Sequence, residues 1–309
     1  MQPQVNQYGS HMVMTNVYKP CKTKFWNIDT RFRDDYDNYA QTVSGSQIPW
    51  YTFTLPQPIN DIKSIRANNA EIPLSFYAIS ASLGNNVMGV GNTLITIPDG
   101  NYTDVSLKVA LNKLLVALSV SYDCSNNGNP ISSFTNTSGS PVILHFAVRP
   151  SNTCQGTTRV ATGNPTPDSD KYNFKSKLGW LLGFRSPDYT IANNATKLSE
   201  NVIDIATIKY VYLVIDEFTN SNSNSFVSPL PLSIINKNIL AKISMDYVHY
   251  GFRTILTANQ YNGLLCSDRR AYNGKINMQK LKIQLVNEYG VPLNLNGLDF
   301  SFCLEIEYE

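Results

Sequence analysis

The stretch LDFSFCLEIEY, residues 298–308, decides the fold. Leu298, Phe300, Phe302, Leu304, Ile306 and Tyr308 alternate with Asp299, Ser301, Cys303, Glu305 and Glu307. Successive side chains of an extended chain point to opposite faces, so this pattern predicts a β-strand with one dry and one wet face. Burying six such side chains contributes about 1.5–3 kcal/mol each. Ordering the backbone costs about 1–2 kcal/mol per residue, so the strand needs a sheet beside it and a second layer facing it. Glu305 and Glu307 are expected on the wet face, and Cys303 beside them as a free thiol. The run Leu281–Val286 is the expected partner of this closing strand.

Working outward, most of the chain reads as further strands set off by turn residues. Trp50–Leu55 alternates and is expected to stop at Pro56 and Pro58; Ile62–Ile72 is a longer run ending at Pro73. Thr93–Ile97 closes on Pro98-Asp99-Gly100, a turn in which Pro presets φ and Gly accepts a positive one. Val142–Val148, Ile239–Ile243 and Phe252–Leu256 are strand-like, and Ile208–Ile215 is apolar throughout, as a strand buried on both faces requires. One helix is predicted: after a Thr103 or Asp104 cap, Leu107, Leu111, Leu114, Leu115 and Leu118 share a face opposite Lys108, Asn112 and Lys113. Lys177–Phe184 reads as a short apolar helix or turn. Between Ser125 and Asp170, apart from Val142–Val148, the composition is that of long loops, and Asn220–Ser225 is a loop tip.

The first 24 residues are polar and without period, an arm outside the core that spans about 80 Å when extended at ~3.3 Å per residue. The next segment, FWNIDTRFRDDYDNY, is denser. Trp26, Ile28 and Phe32 are candidate anchors, and Arg31, Arg33, Asp34, Asp35 and Asp37 form a mixed-charge cluster, either a self-compensating surface or an Arg–carboxylate interface. Trp26, Asp29, Arg31, Phe32, Arg33 and Asp34 are therefore the candidate interface residues. Residues 1–49 form the arm and anchoring segment, and 50–309 a single elaborated β-sandwich with a loop-rich insertion at about 125–205.

Composition narrows the function. Apolar residues make up 42% and charged residues 16% of 309, with 18 Tyr and 13 Phe, a globular and interface-like balance. A net charge of +2 gives no long-range pull on nucleic acid. Arg269, Arg270, Lys275, Lys280 and Lys282 near Tyr272 make a small basic patch, read as a solvated edge strand guarded by lysines. Five scattered cysteines without a CxxC motif read as free thiols. There is no charged-then-apolar leader, and no run approaches the ~20 apolar residues of a membrane span.

Catalytic signatures are absent. His11, His145 and His249 are isolated, so no metal site is expected. There is no GxSxG and no phosphate-binding loop, so no catalytic or cofactor-binding residues are assigned. Paired carboxylates such as Asp34/Asp35 on a β-sandwich leave a carbohydrate-active enzyme as a lesser alternative.

Six segments in order carry a resemblance: NIDTRFRD (27–34), IPDGNYT (97–103), LGWLLGFR (178–185), YVYLVIDEF (210–218), ILAKI (239–243) and NEYGVPLNLNGLDFSFCLEIE (287–307). Together they resemble the minor capsid proteins of large icosahedral double-stranded DNA viruses, the chlorovirus and mimivirus-like group. The resemblance implies a mainly β, jelly-roll-like antiparallel sandwich with one amphipathic helix, long loops and an extended arm; a compact double jelly roll is the alternative. It implies a non-enzymatic protein of the virion shell, assembled in the host cytoplasm. Its partners would be the major capsid protein and other minor capsid proteins, or further copies of itself, with no cofactor, no specific nucleic acid and no membrane span. A glycan- or receptor-binding module using the long loops is the alternative function.

Overall fold

The computed structural model describes residues 20–34, 50–125, 128–147, 174–205, 208–219 and 238–309. Among these, the chain forms fifteen strands and two α-helices. In order they are β1 (Lys22–Asp29), β2 (Tyr51–Pro73), β3 (Val87–Val90), β4 (Thr93–Thr96), α1 (Asp104–Leu115), β5 (Val120–Asp123), β6 (Ile131–Asn136) and β7 (Val142–His145). After the short α2 (Leu178–Leu181) come β8 (Asp188–Ile191), β9 (Ala195–Val202), β10 (Tyr210–Asp216), β11 (Ile239–Ser244), β12 (Ile255–Asn259), β13 (Leu265–Ser267), β14 (Arg270–Asn287) and β15 (Ser301–Tyr308). The fold is mainly β and every ladder is antiparallel.

Eight strands make one large sheet in the order β1-β15-β2-β14-β10-β11-β13, with β12 joined to the far end of β2. The closing stretch behaves as its alternation requires: Phe300, Phe302, Leu304 and Ile306 are buried in the main core. Its neighbours differ from the expectation. β15 lies between β1 and β2, while Leu281–Val286 lies between β2 and β10. Leu298 lies before the strand and is 50% exposed.

β2 also departs from the expected two strands. It runs unbroken for 23 residues through Pro56 and Pro58. Proline cannot donate to a ladder, and both prolines fall where none is asked of them. On one side the β14 register slips between Ile59 and Thr54; on the other, β15 pairs only from Ile62 onward.

Two hydrophobic cores result. The first gathers the large sheet, from Ile28 and Tyr51 to Ile306. The second draws on residues from Ile79 to Ile191, so it takes in the helix as well as the loop-rich stretch from 125. It sits on a four-stranded sheet, β4-β3-β7-β8, and a three-stranded one, β5-β6-β9. α1 starts at Thr103, whose hydroxyl accepts the Ser106 N–H at 3.3 Å while the Ser106 hydroxyl accepts the Thr103 N–H at 2.8 Å, a reciprocal cap. Leu107, Leu111 and Leu115 are fully buried in this second core; Leu114 is exposed. Asn112 then fixes the following strand, donating to the Tyr122 carbonyl at 2.8 Å and accepting the Tyr122 N–H at 2.7 Å.

β10 is buried on both faces. Val211, Leu213 and Ile215 enter the main core, and Val214 packs with Ile239 and Val286 beneath Trp50 and Tyr212.

Candidate interaction surface

The six candidate interface residues lie together at the end of β1, where the strand turns into a 3-10 turn, Thr30–Phe32. The fold then divides them. Trp26 packs half-buried against the main core beside the buried Ile28. Arg33 is buried and stacks over Tyr51 at 5.3 Å; its guanidinium donates to Asp299 Oδ1 at 2.7 Å and to the Thr30 carbonyl at 2.6 Å. Thr30 closes the knot: its hydroxyl donates to the same Asp299 oxygen at 2.8 Å and accepts the Phe300 N–H at 3.0 Å. Asp34 accepts the Thr54 N–H at 3.0 Å and hydroxyl at 2.6 Å. These three residues bind the segment to its own fold.

The other three face outward. Asp29 caps the turn by accepting the Arg31 N–H at 2.9 Å and grips the Arg31 guanidinium, Nε at 3.0 Å and Nη2 at 2.5 Å. The hydrogen bonds from Arg31 outweigh partial burial and hold the Asp29 carboxyl below its ordinary range. Phe32 lies under the Arg31 guanidinium at 5.7 Å and is 76% exposed.

Two grooves adjoin this end of the sheet, one on each side of the loop entering β12. The first, about 480 Å³, is lined by Asp29, Arg31, Glu71, Arg253, Ile255 and Leu298 among others. The second, about 490 Å³, is lined mainly by Leu74, Phe76, Tyr102, Tyr247, Tyr250 and Phe252. The loop is clipped to β2 by Leu74 N–H donating to Thr254 O at 2.8 Å and Arg253 N–H to Leu74 O at 2.9 Å. Arg253 adopts φ +71°, a left-handed backbone uncommon for a side-chain-bearing residue.

Other sequence candidates are absorbed by the fold. Glu305 is buried rather than wet. It accepts Arg66 Nε at 2.8 Å and Arg269 Nη2 at 2.9 Å, while Glu307 accepts Arg269 Nη1 at 2.7 Å and the Ser64 hydroxyl at 2.8 Å. The expected solvated basic edge is also corrected, because β14 is an interior strand between β2 and β10. Arg270 is 0% exposed; it donates to both Glu217 oxygens, at 3.0 and 2.8 Å, and to the Ile215 carbonyl at 3.0 Å. Tyr272 donates to Glu217 at 2.9 Å, and burial beside that carboxylate pushes its hydroxyl far above the usual phenol range.

His145 is buried and joined to Asp188 across β7 and β8, and His249 contacts Asp246 at 2.6 Å. Among the described residues no three or more His, Cys, Asp or Glu side chains gather as a metal site, and no helix is long and apolar enough to cross a membrane. Cys21, Cys124, Cys266 and Cys303 are free thiols. His11, Asp35, Asp37 and residues 148–173 and 220–237, which hold most of the expected loops, lie outside the described residues.

Sequence reasoning missed Asp299, which it placed on a wet strand face, and Arg253, which no periodicity marks. Only the fold brings the first to Arg33 and the second between the two grooves.

No family model and no curated protein matches the chain. Among solved structures it is similar to the mavirus penton protein, at 9% identity and a TM-score of 0.41, over 94% of this chain and 100% of that one. It is also similar to a chain of the Sputnik virophage particle, at 13% identity and a TM-score of 0.39, over 94% of this chain and 98% of that one.

Proposed function

We propose that this chain is a structural protein of a viral capsid, a minor capsid protein that cements or underlies the major capsid lattice and works through protein–protein contacts. One observation carries the reading. Two of the segments with minor-capsid resemblance, 27–34 and 287–307, interlock through Thr30, Arg33 and Asp299 and thereby present the Asp29–Arg31 pair and Phe32 at the surface. A preorganised aromatic–arginine anchor beside a groove of mixed charged and apolar lining is the kind of patch on which protein interfaces concentrate their energy. Many copies of a modest contact then add through multivalency. Residues 1–49 act in this reading as the bridging arm and its anchor, and 50–309 as the body with its insertion. The site of action is the virion, assembled in the host cytoplasm.

A density map of purified particles tests the role: the chain is expected between or beneath capsomers. The double variant Arg31→Glu/Phe32→Ser is expected to fold normally and to lose co-assembly with the major capsid protein. Normal incorporation of that variant would remove these residues from the interface.

The second groove supports a glycan-binding alternative, since its aromatic rings are the type that stack on sugar faces. Its hydrogen-bonding capacity is largely spent within the fold. Tyr102 donates to the Pro98 carbonyl and Tyr247 to the Ile208 carbonyl, each at 2.6 Å, and Asn101 is tied to Ala78 and Phe76. Binding on a glycan array would favour this alternative.

A further inference from the structure

β1 is an outer strand of the eight-stranded sheet, bonded to β15 on one side, with no described strand on the other. Half of its backbone N–H and C=O groups therefore point away from the sheet, as on any edge strand. The side chains along this edge are unusually open. Lys22, Thr23, Lys24, Phe25 and Asn27 are exposed, and Phe25 is 59% exposed. Lys22 and Lys24 share a face with Trp26 and Ile28, and Phe25 stands on the other face, opposite Glu305.

Charge decides what this edge can accept. Lys24 lies over the Tyr308 ring at 5.3 Å, and neither Lys22 nor Lys24 has a carboxylate within ion-pair distance among the described residues. A second copy of β1 would bring two more lysines to that face, and its one carboxylate, Asp29, points to the opposite face. Like charges on facing positions disfavour that pairing. An acidic strand reverses the sign: carboxylates opposite Lys22 and Lys24 would stand at cross-strand distance, about 4.5–5.5 Å between Cβ atoms.

We propose that the outer edge of β1, unpaired among the described residues, takes up an extended, acidic segment of another protein by strand addition. The partner's backbone completes the ladder, its carboxylates face Lys22 and Lys24, and an apolar side chain on the other face covers Phe25. This rests on the capsid reading and specifies how one of its contacts is made.

The test uses the full chain and two labelled ten-residue peptides, one alternating Glu with Val, the other Lys with Val. Fluorescence anisotropy is expected to show binding of the Glu peptide, weakened by salt, and none of the Lys peptide. The double variant Lys22→Glu/Lys24→Glu, altered only at exposed positions, is expected to lose at least tenfold for the Glu peptide and to gain binding of the Lys peptide. Hydrogen exchange is expected to slow at β1 amides when the Glu peptide is bound. Equal binding of both peptides, binding of neither, or protection elsewhere than β1 would overturn the proposal. Co-assembly separates it from the wider reading. If the charge-reversed variant still enters particles, the capsid role stands without this contact. If the unaltered chain never does, the capsid role fails while the peptide result is unaffected.

Discussion

Arg33 and Asp299 stand 266 positions apart in the chain and 2.7 Å apart in the fold. The guanidinium is almost fully enclosed and the carboxylate one-fifth exposed. Removing the acid strands a buried cation, which costs more than the pair contributes. Asp299→Ala is therefore expected to lower unfolding free energy by about 2–4 kcal/mol, read from urea denaturation. Asp299→Asn, which keeps an acceptor for Thr30 and Arg33, is expected to lose less. Equal losses would mean that the charge of Asp299, and not the acceptor that Asn retains, carries the contact.

The pair formed by Arg270 and Glu217 is more deeply enclosed, with both side chains essentially without solvent contact. Among the described residues, Arg270 Nε and Nη2 have no hydrogen-bond partner even so. Glu217→Gln is expected to cost about 3–5 kcal/mol, because a buried charge loses its counterion. The double variant Arg270→Met/Glu217→Leu is expected to recover most of that loss, as apolar replacements of buried pairs commonly do. Chemical denaturation of Arg270→Met, Glu217→Leu and the double variant measures the coupling.

Gly183 follows α2 at φ +92°, and a Cβ there would come within 2.1 Å of the Asn201 carbonyl oxygen. That carbonyl belongs to β9, and the Asn201 N–H donates to Gly183 O at 3.0 Å, so neither chain segment can retreat without losing the contact. Gly183→Ala combines backbone strain with overpacking and is expected to destabilise by about 2–4 kcal/mol. Thermal melts compared with Gly128→Ala, where φ is also positive but the space is open, separate the two effects.

Glu309 is held by Lys275 and Lys63, whose hydrogen bonds depress its carboxyl from an ordinary 4.5 to about 2. A folded-state value below the unfolded one means that the contribution is present above about 4.5 and is lost as pH falls toward 2. The Glu309 side-chain carboxyl resonance is expected to titrate near 2 in the intact chain. In a Lys63→Met/Lys275→Met variant it is expected to return toward the ordinary value. An unchanged midpoint in that variant would refute the assignment of cause.

What was legible in the sequence followed from local pattern. The alternation of residues 298–308 gave a strand with the right dry face, and Thr103 with its leucines gave a capped helix. Strands carrying polar residues inward were not legible: β6, ISSFTN, buries Ser132, Ser133 and Asn136 by hydrogen bonding them within the fold. The continuity of β2 was hidden by prolines whose harmlessness depends on where neighbouring ladders pause. Arg270 looked like surface because a charged residue is rarely buried without a partner, and its partner lies 53 positions away. At the candidate surface, the segment 26–34 was legible as a unit. Its division into residues that hold the fold and residues that face outward required Asp299 and Thr54.

The register of β1 on β15 sets Lys22 opposite Tyr308, so the chain enters and leaves this ladder at the same end. Tension applied through residues 22 and 308 would load the rungs one after another, as a zipper is opened, instead of shearing all eight together. The body would therefore be mechanically soft along that line, though its interior holds 23 residues of uninterrupted β2. A pulling experiment should find the first rupture at this outer ladder, with Trp26 and Leu304 parting before the core beneath them yields.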